Sequence, residues 1–287
     1  MIGGVKYREY PPHASLQNHV KCFWIMEREY TAEFPAEEVT PDAFIELILN
    51  FGTPYRLRED GAPDRVMPRA IMVGLHKTPL VFRCDGTVKL ISTRFFAWGA
   101  VPLLADPTHG LRNLRTTLGR EWTDLAAKVE PAVRADDYDA AVSIVQDHII
   151  EKLLTATVDL GRIQAAAQML HLRKGQFRLE ELADLCNVSG RQLQRQFQSA
   201  VGVSPKALAR AIRFEEIRKR LMFDPDQSLT AIAHEFGYTD QAHFIHDFKE
   251  LAGRTPGEFA REMREIQDIL HDHSNVVFLQ VPPADRR

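Results

Sequence analysis

The sequence has 287 residues, of which 45% are hydrophobic and 26% charged, and its formal net charge is −3. These values are typical of a soluble globular protein of about two domains. No apolar run approaches the length of about eighteen residues that a membrane span needs, and the N-terminus lacks the apolar core of a signal peptide. The three cysteines (Cys22, Cys84, Cys186) are odd in number and widely spaced, which argues against a disulfide framework or a zinc finger and for the reducing cytoplasm.

The charge is unevenly distributed along the chain. Residues 162–264 carry 16 Lys and Arg against 13 Asp and Glu, whereas the remainder is acidic. Within residues 186–222 the balance is 8 basic to 2 acidic residues. A basic segment of this kind is expected to face a phosphate backbone.

Residues 1–98 are predicted to be mostly β-strand. Between 44 and 51 the apolar residues alternate with Glu46 and Asn50, which is typical of a half-buried strand. Short apolar runs separated by Gly and Pro surround it, at 23–26, 70–73, 80–82 and 88–91. Strands at this spacing predict a small barrel or sandwich. The same alternation places Asp42 and Glu46 on one face, where we expect them at the rim or in a pocket.

Residues 99–155 are predicted to be helical. Short pieces precede a longer helix, at 102–104, 111–118 and 122–129. The longer helix covers 138–154 and could pack on the barrel or form a dimer seam. A linker is expected at 155–157, after which Asp159 would cap a helix that ends at Leu172.

An internal repeat dominates residues 178–261. The segment 197–205, FQSAVGVSP, is answered by 248–256, FKELAGRTP, at an offset of 51 residues. Two copies are too few for a solenoid, which needs at least three. The repeat therefore predicts two similar small modules.

Each module is predicted to contain a short helix, a tight turn and a second helix. In the first copy Asn187 takes the turn and Ser189 caps the second helix, with Gln192 completing a capping box. In the second copy Gly237 takes the turn and Thr239 is the expected cap. The second helices have apolar stripes and polar outer faces, an arrangement typical of a helix-turn-helix motif.

A long helix is predicted between the two modules. Pro205 takes its first position after Ser204, as prolines often do. Its predicted buried stripe consists of Ala207, Ala211, Phe214, Ile217 and Leu221.

This stretch resembles the DNA-binding domain of the AraC/XylS family of bacterial transcription regulators. The resemblance is carried by 229–238, LTAIAHEFGY, and by 248–261, and it covers about the last 40% of the chain. Residues 40–52, TPDAFIELILNFG, are similar to the distantly cupin-like N-terminal sensing domains of some members. Ala43 departs from that pattern, because relatives often have Gly after the Pro-Asp pair.

The resemblance implies an α+β protein. Residues 1–155 would form an effector-sensing or dimerisation domain, a β-rich barrel-like part at 1–98 with a helical part at 99–155. An all-α domain of two helix-turn-helix motifs joined by a long helix would follow at 158–264. Residues 265–287 would be a C-terminal extension, in which 276–279 resembles a strand.

The resemblance also implies the DNA-contacting residues. The base-facing residues would be Arg191, Gln194 and Arg195 in the first motif and Gln241, Ile245 and His246 in the second. Arginine can bond guanine and glutamine can bond adenine. Ser189 and Thr239, at helix N-termini, would contact phosphates. For His243 and His246 a DNA-facing role and plain solvent exposure remain equally open.

The second motif is expected to contribute less affinity than the first. Residues 223–261 contain three basic and seven acidic residues. Asp240 and Asp247 would face or flank the duplex and repel it.

No cofactor, metal site or catalytic set is expected. The histidines of the N-terminal part are scattered (His13, His19, His76, His109), and His271 with His273 is too small a group for a metal. No phosphate-binding glycine loop is present.

The partners implied are double-stranded DNA, a small-molecule effector or a second subunit at the N-terminal domain, and RNA polymerase if the protein is an activator. No membrane partner is implied. Two alternatives remain: a cupin-like barrel enzyme with a helical appendage, and an adapter whose motifs no longer bind DNA.

Overall fold

The computed structural model describes residues 5–31, 36–58, 64–104, 115–158 and 160–272. Within these ranges the N-terminal part consists of two antiparallel sheets and two long helices, and the C-terminal part is helical. The predicted α+β architecture is therefore confirmed.

The strands form two sheets. Their bounds are β1 (Lys6–Tyr10), β2 (Val20–Glu29), β3 (Ala36–Val39), β4 (Phe44–Asn50), β5 (Arg56–Arg58), β6 (Arg65–Val66), β7 (Ala70–Val73), β8 (Leu80–Arg83), β9 (Thr87–Phe96) and β10 (Arg115–Thr117). The first sheet has the order β1-β2-β9-β4-β7-β10 and the second the order β3-β8-β5-β6. Consequently β3 lies at an edge of the smaller sheet.

The helical prediction for 111–118 is wrong at Arg115–Thr117, which pairs with β7 as β10. Two consecutive threonines favour a strand, because their branched side chains fit a pleated surface. Residues 111–114 lie outside the described residues.

Strand β4 follows the predicted alternation. Ile45, Leu47 and Leu49 are buried in the main core. Glu46 and Ile48 point to the opposite face, into the space between the two sheets. Alternation in the sequence was sufficient to assign both faces.

Two helices cover the larger sheet, α1 (Arg120–Arg134) and α2 (Tyr138–Thr155). Asp137 caps α2 by accepting a hydrogen bond from the amide of Ala140 at 3.0 Å. Val145 and Ile149 of α2 belong to the same buried cluster as the inward face of β4. Of the two roles predicted for this helix, the structure shows packing on the barrel.

The C-terminal helices follow the repeat. They are α3 (Gly161–Leu172), α4 (Leu179–Leu185), α5 (Gly190–Val201), α6 (Pro205–Phe223), α7 (Leu229–Glu235), α8 (Gln241–Ala252) and α9 (Pro256–Asp272). Ser204 caps α6 and Pro205 takes its first position, as predicted. Asp159, the predicted cap of α3, lies outside the described residues, as do His109, His273 and 276–279.

The buried stripe of α6 differs from the prediction. Phe214, Ile217 and Leu221 are buried, but Ala207 is exposed and Ala211 is only partly buried. The buried residues of the first half are instead Leu208, Ala209 and Ile212. The stripe changes direction because each half of α6 packs in a different cluster, the first half with the barrel and first motif and the second half with the second motif.

One hydrophobic core runs from the barrel into the first motif. Phe95 of the sheet and Leu193 and Phe197 of α5 belong to a single buried cluster. The second motif has its own core around Phe244 and Phe248, which includes no barrel residue. The first motif is thus joined to the barrel by apolar packing, and the second is not. Among the described residues, no helix combines the length and apolarity needed to cross a bilayer.

Candidate nucleic-acid interface

Helix α5 has well-defined ends. Ser189 accepts from the amide of Gln192, and the side chain of Gln192 accepts from the amide of Ser189 at 3.0 Å, which confirms the predicted capping box. Gly202 ends the helix at φ 78°, in the left-handed region that favours glycine. Local chemistry therefore fixes both ends of the helix.

The outer face of α5 is polar and available. Arg191, Gln194 and Arg195 lie at helical spacing and all three are exposed. Neither arginine forms an ion pair with another described residue, so both guanidinium groups can engage a partner. Leu193 and Phe197 hold the opposite face in the core.

Helix α8 has the same design with a different cap. Asp240, and not Thr239, is the N-cap, and its carboxylate accepts from the amide of His243 at 2.7 Å. The predicted cap is wrong by one residue because the second turn is one residue longer than the first. Thr239 remains exposed beside the helix start. Gly253 ends α8 at φ 74°.

The two helices can be aligned by their ends. Both contain 12 residues and end at a left-handed glycine. In this register Gln194 matches Ile245 and Arg195 matches His246, as the sequence predicted. Gln241 lies one residue before the position that matches Arg191.

Within α8 the three predicted residues differ in exposure. Gln241 and His246 are exposed, whereas Ile245 is partly buried against the core of the motif. Lys249, one turn beyond His246, shares the exposed face and was missed. Its spacing of three residues from His246 was the signal that could have found it.

Asp247 does not lie on the exposed face of α8, the face that carries Gln241, His246 and Lys249. It is buried, accepts from the hydroxyl of Tyr238 at 2.7 Å and pairs with Arg210 of α6. Burial raises the pKa of Tyr238, so its hydroxyl remains a donor. The predicted repulsion from Asp247 is therefore wrong, while Asp240 is exposed at the helix start.

Two further acidic residues of the second motif are neutralised by α6. Arg210 also pairs with Glu250 at 2.9 Å, and Arg220 pairs with Glu235 at 2.5 Å. Through these ion pairs, part of the positive charge of residues 186–222 is neutralised by carboxylates of the protein itself. The charge difference between the motifs is consequently smaller than the residue counts indicated.

Arg213 of α6 joins the two motifs. Its guanidinium donates to the carbonyl of Gly175 at 3.3 Å and lies 5.4 Å from the ring centre of Tyr238. The first contact reaches the segment before α4 and the second reaches the turn before α8. Arg213 of α6 therefore links the segment before α4 in the first motif to the turn before α8 in the second motif.

The barrel encloses a cavity of about 80 Å³ between its sheets. In its wall the carboxylate of Glu46 accepts from Trp24 at 3.1 Å, Ser92 at 2.5 Å and Arg94 at 2.5 Å. The expected pocket position of Asp42 and Glu46 is confirmed, since both residues line this cavity.

Glu37 also lines the cavity and accepts from the hydroxyls of Tyr30 and Tyr55. Burial raises the pKa of Glu37. Aromatic rings of Trp24, Phe44 and Phe82 belong to the same wall, so the cavity combines polar and apolar groups.

A second cavity of about 230 Å³ lies between the barrel and α6. Asp42 and His76 line both cavities, and Ala207 and Ala211 line the second from α6. Burial raises the pKa of Asp42 to about 7, with Arg94 acting in the opposite direction. The barrel interior is thus adjacent to the helix that carries both motifs.

His171 of α3 fills the seam between the two parts of the chain. Its ring lies 5.6 Å from Phe44, 5.4 Å from Phe96 and 5.6 Å from Trp98, measured between ring centres. Burial lowers its pKa to about 4, so the imidazole is neutral near pH 7. Among the described residues, no group of three or more His, Cys, Asp or Glu is arranged to hold a metal ion.

Comparison with known proteins agrees with this arrangement. Residues 182–262 match a helix-turn-helix domain family, and residues 8–117 match a domain of unknown function (DUF6597). The C-terminal domain is that of the AraC/XylS family.

An uncharacterised HTH-type transcriptional regulator of Haemophilus influenzae is 29% identical over 42% of this chain and 40% of its own length. The HTH-type transcriptional activator RhaS of Pectobacterium carotovorum is 35% identical over 26% of each chain.

A solved structure shares the fold over most of the chain. ToxT of Vibrio cholerae, solved with a bound unsaturated fatty acid, superposes with a TM-score of 0.50 at 11% identity, covering 83% of this chain and 94% of ToxT. The chain spans less than half the length of the two sequence relatives described above. The relatives therefore establish the type of the C-terminal domain, and at this identity ToxT establishes the fold.

Proposed function

We propose that this protein is a sequence-specific DNA-binding transcription regulator of the cytoplasm, and not an enzyme. One observation carries the proposal. Helices α5 and α8 are equally long, both end at a left-handed glycine and are joined by α6, and each presents an exposed polar face. Helices arranged in this way can enter successive major grooves on one side of the duplex, about 34 Å apart.

The proposed base contacts follow from side-chain chemistry. Arg191 and Arg195 can each bond the two acceptors of a guanine, and Gln194 can pair with adenine. Ser189, exposed at the start of α5, is the proposed phosphate contact. Of these groups, the two unpaired arginines are expected to provide most of the affinity.

The second motif is proposed to add discrimination. Gln241 can read adenine, and Ile245 can touch a thymine methyl group. His246 is exposed and lies near Lys249, so both can approach the backbone. Thr239 is the proposed phosphate contact of this motif.

The N-terminal part is proposed to bind a small-molecule effector in the barrel cavity. One buried carboxylate (Glu37), two partly buried ones (Asp42 and Glu46), one arginine and aromatic rings around one cavity are suited to a small polar ligand. By analogy with the transcriptional activator RhaS, we further propose that the protein is an activator. An activator would contact RNA polymerase. A homodimer would use the same N-terminal part.

The test is binding of the full chain to the duplex upstream of its own coding sequence, measured by fluorescence anisotropy at fixed salt. We expect Arg195→Ala to cost about 1–3 kcal/mol and to relax preference at one base pair. Lys128→Ala is the matched control, because Lys128 is an exposed cation on α1, away from both motifs. Equal losses from the two variants would mean that Arg195 supplies only charge, and no binding by the unmodified protein would favour the adapter.

A further inference from the structure

The second motif touches the barrel through a buried ion pair. Arg254, in the turn between α8 and α9, lies 3.2 Å from Glu38 of strand β3. The two side chains are only 10% and 8% exposed. Arg254 also lies 3.2 Å from Glu262 of α9, a residue of its own motif. One arginine is therefore shared between a carboxylate of the barrel and a carboxylate of the DNA-binding domain.

The internal repeat marks Arg254 as unusual. The matching residue in the first motif is Val203, which is buried as an apolar residue should be. In the second copy the same buried position holds a charge, which is costly unless it is paired. Apolar packing joins the first motif to the barrel, whereas the core of the second contains no barrel residue. The buried pair is thus a specific polar contact between the barrel and the second motif, whose buried cluster includes no described barrel residue.

Strand β3 connects this tie to the barrel cavity. Successive residues of a strand point to opposite faces. Glu37 and Val39 line the cavity, and Glu38 between them points outward to Arg254. Because β3 lies at the edge of its sheet and, among the described strands, pairs with β8 alone, it can shift more easily than a central strand. A ligand that displaces Glu37 or Val39 would therefore move Glu38.

We propose that Glu38 and Arg254 form a clamp that holds the second motif against the barrel, and that β3 releases it when the cavity is filled. This inference rests on the proposed function, since the clamp regulates the proposed DNA-binding surface. Closed, the clamp keeps the carboxylate of Glu38 beside the second motif and withholds Arg254 from the phosphate backbone. Release moves the carboxylate of Glu38 away from the motif and leaves Arg254 with one carboxylate partner, Glu262, instead of two, so DNA binding tightens.

The structure provides a matched pair of variants for the test. Glu38→Gln removes the carboxylate of the barrel, and Glu262→Gln removes the carboxylate of the motif at the same distance from Arg254. In the full chain without ligand, we expect Glu38→Gln to speed amide hydrogen exchange at 36–39 and 253–262 and to tighten binding to the upstream duplex about five-fold or more. Glu262→Gln should leave amide hydrogen exchange at 36–39 unchanged and should alter the affinity for DNA less than two-fold. Equal effects of the two variants, or none from Glu38→Gln, would overturn the clamp.

The role of β3 is tested by filling the cavity without a ligand. Val39→Phe adds a ring where Val39 lines the cavity, and we expect it to reproduce the exchange and binding changes of Glu38→Gln. If Val39→Phe folds with unchanged exchange at 253–262, β3 does not transmit cavity occupancy. If it does not fold, Val39→Leu and Val39→Met provide smaller increments with the same expected direction. Failure of every protein, wild type included, to bind the duplex would refute the proposed function, while hydrogen exchange would still decide the clamp.

Discussion

Asp240 and Asp247 lie on the same helix but have opposite roles. Asp247 is buried between Tyr238 and Arg210, whereas Asp240 is exposed at the N-cap of α8. The partners of Asp247 come from another helix, 37 residues away in the case of Arg210. Composition alone cannot distinguish a structural charge from one that faces DNA.

Replacing each aspartate by asparagine, which has the same shape but no charge, separates these two roles. Asp247→Asn should lower the free energy of unfolding by about 1–3 kcal/mol, because it weakens a buried charged network. Asp240→Asn should leave stability nearly unchanged, since asparagine caps as well as aspartate, and should tighten DNA binding by removing a negative charge. Urea denaturation and anisotropy titration measure the two effects. A destabilised Asp240→Asn, or a stable Asp247→Asn with tighter DNA binding, would reverse the assignment.

His171 makes the domain seam sensitive to acid. In the unfolded chain its pKa is near 6.5, whereas burial lowers the folded value to about 4. The unfolded state therefore binds more protons between these values, and stability falls as pH falls through that window, by at most about 1.4 kcal/mol per pH unit. His171→Leu keeps the apolar contacts and removes the titration. Denaturation at pH 6.5 and pH 4.5 should show a smaller loss for the variant than for the wild type. Equal losses of stability in the two proteins would mean that a group other than His171 titrates in this window.

Residues whose conformation depends on near neighbours were predictable. Ser189 and Gln192 form the expected capping box, and Asn187 takes a left-handed turn at φ 51°. Arg254 was not predictable in its role, because its partner Glu38 belongs to a distant strand. The sequence shows that a charge replaces Val203 in the repeat, but only the fold shows what neutralises it.

At the scale of elements, α5 and α8 are two versions of one design with different caps. An uncharged serine caps α5, and an aspartate caps α8. The N-terminus of a helix attracts phosphate through its free amides, and a carboxylate at that place competes for them. The first helix is therefore better suited to approach the backbone closely.

Variants of Ser189 test that difference. Ser189→Ala removes the cap and should cost about 0.5–2 kcal/mol of stability. Ser189→Asp retains a cap and should keep stability, but it should weaken DNA binding because it places a negative charge where Ser189 is proposed to meet a phosphate. Thermal denaturation and anisotropy follow the two quantities. If Ser189→Asp binds DNA as well as the wild type, Ser189 does not approach a phosphate.

The spacing of apolar residues predicted a strand or helix best where one face of that element is buried along its whole length in a single core. The alternation of β4 and the helices α1 and α2 were found for this reason. It failed for α6, whose two halves pack in different clusters, so that no single stripe runs along the helix. It also failed at β10, a three-residue strand that is too short to show a period.

At the scale of the molecule, the barrel and the first motif share one core. The boundary predicted at 155–158 remains a prediction, since the cluster that contains Ile45 of β4 also contains Leu193 and Phe197 of α5. The family resemblance located the modules, but contacts between segments so distant in sequence have no local signature. The second cavity and His171 lie where the barrel meets the C-terminal helices.

Hydroxyl-radical footprinting of the full chain on its upstream duplex shows whether both motifs bind DNA. Two motifs held on one α6 helix should enter successive major grooves on one side of the DNA. We expect two protected patches about one helical turn, or 34 Å, apart on the same face. The patch nearer α5 should disappear with Arg191→Ala/Arg195→Ala. A single patch, two patches on opposite faces, or no protection would contradict the claim.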